Sequence, residues 1–257
     1  MKLRSLCLSI VFLLTVNVCV DGQKRMQPAR RKTGPVSALK LKEIGSIAVV
    51  VDETLSVLRA KPSLFAESVQ RMRRGRRIQI LGVVEADGVK FYRVSALPGT
   101  VGWVQADAVF GKFREGDDAR LASLVQASNG FDQIELASSF FELYPQSQFR
   151  PALLLLYGDL LEEAAVKLSK DARSRLDRRE MTASGAPIHS YYLNFVMLDR
   201  YRKLNIVFLF NSYNRNFHYD GAGWKAIVQK FPAAAESIEA QKRLNSLKEK
   251  MEVTAMK

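Results

Sequence analysis

Between Ile47 and Val104 the chain falls into short runs rich in β-branched and aromatic residues, and a glycine, proline or aspartate soon interrupts each one. Ile47–Val51, Leu55–Leu58, Arg77–Val84, Val89–Val94 and Val101–Val104 read as strands, because runs this short and this close together leave no room for helices. Asp87-Gly88 supplies the positive φ of a tight reversal and predicts a hairpin between the third and fourth runs. About sixty residues of this kind build a small barrel, and so small a core depends on large anchors such as Phe91 and Trp103. Gly75 and Gly102 stand where such a barrel turns sharply or lets strands approach closely.

After Phe113 the period becomes helical. Glu115-Gly116-Asp117-Asp118 offers acidic capping chemistry ahead of Leu121, Leu124 and Val125. Ile134, Ala137, Phe140, Phe141 and Tyr144 recur at helical spacing until Pro145 ends the run. A third amphipathic stretch runs from Pro151 to Ala164, and a long helix is expected from about Ala234 to Glu252. Tyr191–Asn211 reads as a further apolar helical stretch, with Leu204–Phe210 inside it as a buried helix or a groove wall. It is far too short to span a bilayer. The charged run Lys167–Arg179 reads as a solvated helix end or an anion contact.

Phe140-Phe141-Glu142-Leu143-Tyr144-Pro145 and Ile227-Val228-Gln229-Lys230-Phe231-Pro232 align on their prolines. Both resemble a tetratricopeptide-like repeat boundary, where an aromatic-proline pair ends one helix. Tyr213–Gly223 is similar to the turn between paired repeat helices. The resemblance implies a helical-repeat domain over 115–257 that holds a protein partner in its groove.

Four segments of the first half resemble the bacterial SH3-like domain. They are Leu55-Ser56-Val57-Leu58-Arg59-Ala60-Lys61-Pro62-Ser63, Met72–Ile78, Phe91-Tyr92-Arg93-Val94 and Gly99-Thr100-Val101-Gly102-Trp103-Val104, the last followed by Ala106–Val109. Their order matches the family's, and they cover 47–110. Leu58 is inserted, Lys61 stands where glycine is common, and Phe91 replaces the usual tryptophan. The resemblance implies an SH3-like β-barrel over 45–112 that docks a peptide or cell-wall component in an aromatic-lined groove. Its candidate ligand-binding residues are Phe65, Tyr92 and Trp103, flanked by Arg71, Arg73 and Arg74. Trp103 also reads as a core residue, Tyr92 as either core or groove, and the arginine run as either a solvated turn or a fork for carboxylate or phosphate.

Lys2 and Arg4, an apolar run from Leu6 to Leu14 and a small-residue stretch ending at Gly22 read as a secretory signal peptide. Cleavage after Gly22 removes both cysteines, Cys7 and Cys19, and with them any disulfide framework. Val18 is bulky for lipoprotein processing at Cys19, which argues against a lipid anchor. Residues 23–44, with Lys24, Arg25, Arg30, Arg31 and Lys32 among prolines, read as a basic flexible linker able to meet an anionic surface. The whole chain carries a formal charge of +13. Export makes nucleic acid the least natural partner of so basic a protein and points to wall polymers, lipid headgroups or acidic proteins.

The residues offer no catalytic constellation and no cofactor. The expected mature chain has no thiol nucleophile, and no Gly-Lys-Ser/Thr follows Gly99 and Gly102 to make a phosphate loop. His189 and His218, with Asp199 or Asp220, are the one conceivable metal set. Glu135, Glu142, Glu162 and Glu163 are the carboxylates a glycosidase would need, and they fall on helices among core residues. The sequence thus describes two modules, a small all-β SH3-like barrel followed by an all-α helical-repeat domain. The expected protein is non-enzymatic and periplasmic or secreted, and keeps no transmembrane anchor once the leader is cut. It is either an adaptor, binding peptidoglycan or a peptide through the barrel and an envelope protein through the helices, or a structural assembly subunit whose barrel binds nothing.

Overall fold

The computed structural model describes residues 42–96 and 99–252. The leader and the linker up to residue 41 lie outside them. Lys42-Glu43, expected at the end of the flexible linker, is helical, and Glu43 is buried. Its Oε1 accepts hydrogen bonds from Lys90 Nζ at 2.7 Å and Tyr92 Oη at 3.0 Å, which fastens this segment to the sheet.

Seven strands follow: β1 (Ile47–Val50), β2 (Val57–Arg59), β3 (Ser68–Arg71), β4 (Arg77–Ala86), β5 (Val89–Ala96), β6 (Thr100–Gln105) and β7 (Val109–Phe110). They pair antiparallel in the order β3-β2-β6-β5-β4-β1-β7, a curled sheet that forms a half-barrel. The predicted Asp87-Gly88 reversal joins β4 to β5, with Ala86 opposite Val89. Alternation sends Leu58, Ile78, Ile80, Tyr92, Val94 and Val104 to the inner face, where each is fully or almost fully buried. Gly102 lets β2 cross there: a Cβ on it would meet Leu58 Cγ at 2.7 Å and Arg59 O at 2.9 Å.

The second half holds α1 (Asp117–Ala127), α2 (Gly130–Leu143), α3 (Arg150–Arg175), α4 (Arg178–Ser184), α5 (Ile188–Leu193), α6 (Asp199–Arg202), α7 (Ala222–Lys230) and α8 (Glu236–Glu252). The long α3 is the axis: Leu153, Tyr157, Leu161, Ala164, Leu168 and Ala172 recur every three or four residues and are buried. Gly158 gives Trp224 of α7 its place, since a Cβ there would lie 2.2 Å from the indole Nε1.

This half is not all-α, and the expected helix over Leu204–Phe210 is absent. Phe208–Asn211 (β8) and Asn216–Tyr219 (β9) form an antiparallel hairpin. Turn chemistry decides against a helix. Asn205 takes a positive φ of 58° before the run, and Asn211 Oδ1 accepts from the backbone N–H of Tyr213 after it. Only a few apolar residues remain between these breaks, and they pair across the hairpin as Phe208 with Tyr219 and Phe210 with Phe217. The outer edge of β9 is satisfied by α3: Phe217 N donates to Ser169 Oγ at 2.8 Å and Tyr219 N to Glu162 Oε2 at 2.9 Å.

The sheet and the helices belong to one compact unit. Val51 and Phe110, at the ends of β1 and β7, pack into the helical core. Asp117, 1% exposed, accepts from Arg114 Nε at 2.9 Å and Arg120 Nη1 at 2.8 Å where the chain passes from the sheet into α1. Tyr144 Oη donates to Gly111 O from the far end of α2.

Candidate functional site

The six residues singled out in the sequence do not come together. Tyr92 belongs to the inner face and is fully buried, so it lines no groove. Burial pushes its hydroxyl well above the ordinary range, although Arg114 opposes the shift. Arg74 is taken up by the protein itself. Its Nε donates to Val51 O at 3.0 Å, and its Nη1 lies 3.2 Å from Glu135 Oε2 and 3.4 Å from Asp132 Oδ1 on α2. Arg71 is exposed on the edge strand β3 and donates to the carbonyls of Glu53 and Thr54. Arg73 is exposed on the turn that follows.

Phe65 and Trp103 remain. Trp103, expected foremost as core, is half-buried on the outer face of β6. Its ladder partners are Arg59 on β2 and Arg93 on β5, so the three side chains stand side by side on one face. Val101 follows on the same face of β6, 46% exposed. Phe65, 90% exposed, is held out on the loop between β2 and β3.

That loop is braced. Asp87 Oδ2, at the β4–β5 turn, accepts from Ser63 Oγ at 2.6 Å and from Leu64 N at 2.9 Å. These two hydrogen bonds, the hydroxyl first, hold the Asp87 carboxyl below its ordinary value. Arg59 Nη1 donates to Ala66 O at 2.7 Å from the other side.

Arg59 and Arg93 were not among the sequence candidates, since only strand register shows that they flank Trp103. The signal was available in part: Arg93 follows Tyr92 in a strand, and alternation alone puts it on the face opposite a buried neighbour. Arg59 ends β2 at an irregularity between Leu58 and Arg59, which simple alternation does not capture.

The carboxylates weighed for catalysis all sit in ion pairs. Glu135 meets Arg74, Glu142 meets Arg77, and Glu163 meets Lys167. Glu162 accepts from His218 Nδ1 at 3.0 Å and Lys250 Nζ at 2.8 Å. Burial alone would raise the Glu162 carboxyl, but the bonds from His218, Lys250 and the Tyr219 amide outweigh it and bring the group down to about 2. His189 is exposed while His218 is buried against Glu162. No group of three or more His, Cys, Asp or Glu placed to hold a metal occurs among the described residues. No helix among them is long and apolar enough to cross a membrane.

No curated protein and no solved structure matches the chain. The family model described as Bacterial SH3 domain matches residues 54–109, from the turn before β2 to the start of β7. The match takes in Phe65, the Asp87 brace and the Arg59-Trp103-Arg93 row, and stops short of the helices, so residues 54–109 are a bacterial SH3 domain within a longer chain.

Proposed function

We propose that the chain is an exported, non-enzymatic binding protein of the cell envelope, whose SH3 region docks a wall peptide or an envelope protein while its helices hold a second protein. Phe65 carries this reading. A phenylalanine left 90% exposed forgoes about 2 kcal/mol of burial, and here it is fixed on a loop braced from both sides. Rigid, exposed aromatic side chains of this kind are the usual anchors of binding surfaces. The test is retention of the full chain on purified wall fragments and envelope extracts. The original sequence is expected to be retained without bond cleavage, and Phe65→Ser to be lost to the wash. Equal retention of both, or release of cleaved wall material, overturns the reading.

A second reading is a structural subunit in which the sheet caps the helices and binds nothing of its own. The packing of Val51 and Phe110 into the helical core and the Arg74 contact with α2 favour it. Under that reading Phe65→Ser leaves retention unchanged, whereas Arg74→Met weakens assembly.

A further inference from the structure

The ligand class follows from charge accounting on the outer face and rests on the reading of that face as a docking surface. Arg59, Trp103 and Arg93 form one row across β2, β6 and β5. With neighbouring strands about 4.8 Å apart, the two arginines leave the sheet about 10 Å from each other with the indole between them. Among the described residues, no carboxylate stands within ion-pair distance of either guanidinium. Arg59 gives Nη1 to Ala66 O, but its Nε–H is buried with no acceptor. That donor faces the interior, so Arg59 offers a ligand its charge more than its fork; Arg93 is exposed, and a guanidinium fork is built to take a carboxylate or phosphate on two bonds.

Phosphate polymers and acidic peptides both satisfy the arginines, and the apolar ground around them separates the two. Val101, 46% exposed, lies beside Trp103 on the same face of β6. A phosphodiester has nothing to lay on such a surface, whereas a peptide places a side chain there. The geometry points to an acidic peptide in the polyproline II conformation with two carboxylates three residues apart, Asp/Glu-x-x-Asp/Glu. In that conformation residues three apart stand on one edge about 9 Å from each other, so each acid reaches one arginine while an intervening apolar side chain on the neighbouring edge lies on Trp103 and Val101. The long arginine side chains absorb the mismatch in direction between such a peptide and the strands.

The experiment is fluorescence anisotropy of labelled peptides titrated with the full chain at low and high salt. The probes are a Glu-Leu-Ala-Glu core, the same residues with the two Glu adjacent, and the Gln-Leu-Ala-Gln core; polyphosphate and anionic phosphatidylglycerol vesicles serve as competitors. The spaced acidic peptide is expected to bind about ten-fold tighter than either control and to weaken as salt rises. Arg93→Gln should cost about ten-fold and Arg93→Lys less, since lysine keeps the charge and loses the fork. Arg59→Gln also removes the Ala66 hydrogen bond, so Arg93 is the primary variant. Equal affinity for the Gln core, no effect of Arg93→Gln, or complete displacement by vesicles or polyphosphate at lower concentration than by unlabelled acidic peptide overturns the proposal. If Phe65→Ser abolishes wall retention while no acidic peptide binds, the ligand class is wrong and the docking face stands. If Phe65→Ser changes neither measurement, both fall.

Discussion

Two groups of arginines sit on the same small sheet and have opposite fates. At and after the β3–β4 turn two arginines are paired within the protein: Arg74 reaches across to α2 and the carbonyl of Val51, and Arg77 pairs with Glu142. Arg59 and Arg93, on β2 and β5, have no acidic partner among the described residues. Local density of positive charge therefore says little about where a ligand goes. In the richer cluster Arg74 and Arg77 are met by acids of helix α2, whereas Arg59 and Arg93 meet none.

The sharpest way to break this contrast is Arg74→Met. The Arg74 side chain is only 16% exposed and serves three acceptors, so its loss should cost about 2–3 kcal/mol in denaturant unfolding by leaving Val51 O and two carboxylates short of a donor. A change below about 0.5 kcal/mol would mean that the turn is as dispensable as an ordinary surface.

Glu162 extends the same logic to an acid held by the protein's own donors. Its folded value of about 2 lies below the ordinary 4.5, so the stability it contributes is present above about 4.5 and is lost as pH falls towards about 2. Far-ultraviolet circular dichroism melts over that interval should show the decline, and Glu162→Gln should flatten it. A decline of equal steepness in the variant would assign the acid sensitivity elsewhere.

The smallest effects belong to the exposed arginines. Arg77→Gln breaks a solvent-facing pair with Glu142 and should cost about 0.5 kcal/mol or less. Arg93→Gln should leave stability within about 0.5 kcal/mol of the original and change only what the protein binds. A marked drop in melting temperature for Arg93→Gln would erase the distinction between the two groups.

Much of the sheet was legible because period-two alternation and turn residues act locally: Asp87-Gly88, Gly102 and the buried Tyr92-Val94 pair all follow from neighbours in the chain. The helices α1, α2, α3, α7 and α8 were legible in the same way, through spacing and through Pro145 and Pro232 as stops. The β8–β9 hairpin was not. Its apolar run satisfies either period, and the choice falls to Asn205, Asn211 and the α3 side chains that cover its edge. Long-range choices also fixed the site. Whether Arg74 or Arg93 keeps a free guanidinium depends on Glu135 and Asp132, some sixty residues along the chain, and no window of sequence around either arginine contains that information.

The brace at Asp87 has a kinetic consequence. A loop already fixed by its own hydrogen bonds has little left to reorganise when a partner arrives, so the encounter step is set by diffusion and by the attraction of the unpaired arginines. Association should then be fast and strongly slowed by added salt, with residence time governed separately by how well the exposed Phe65 is covered.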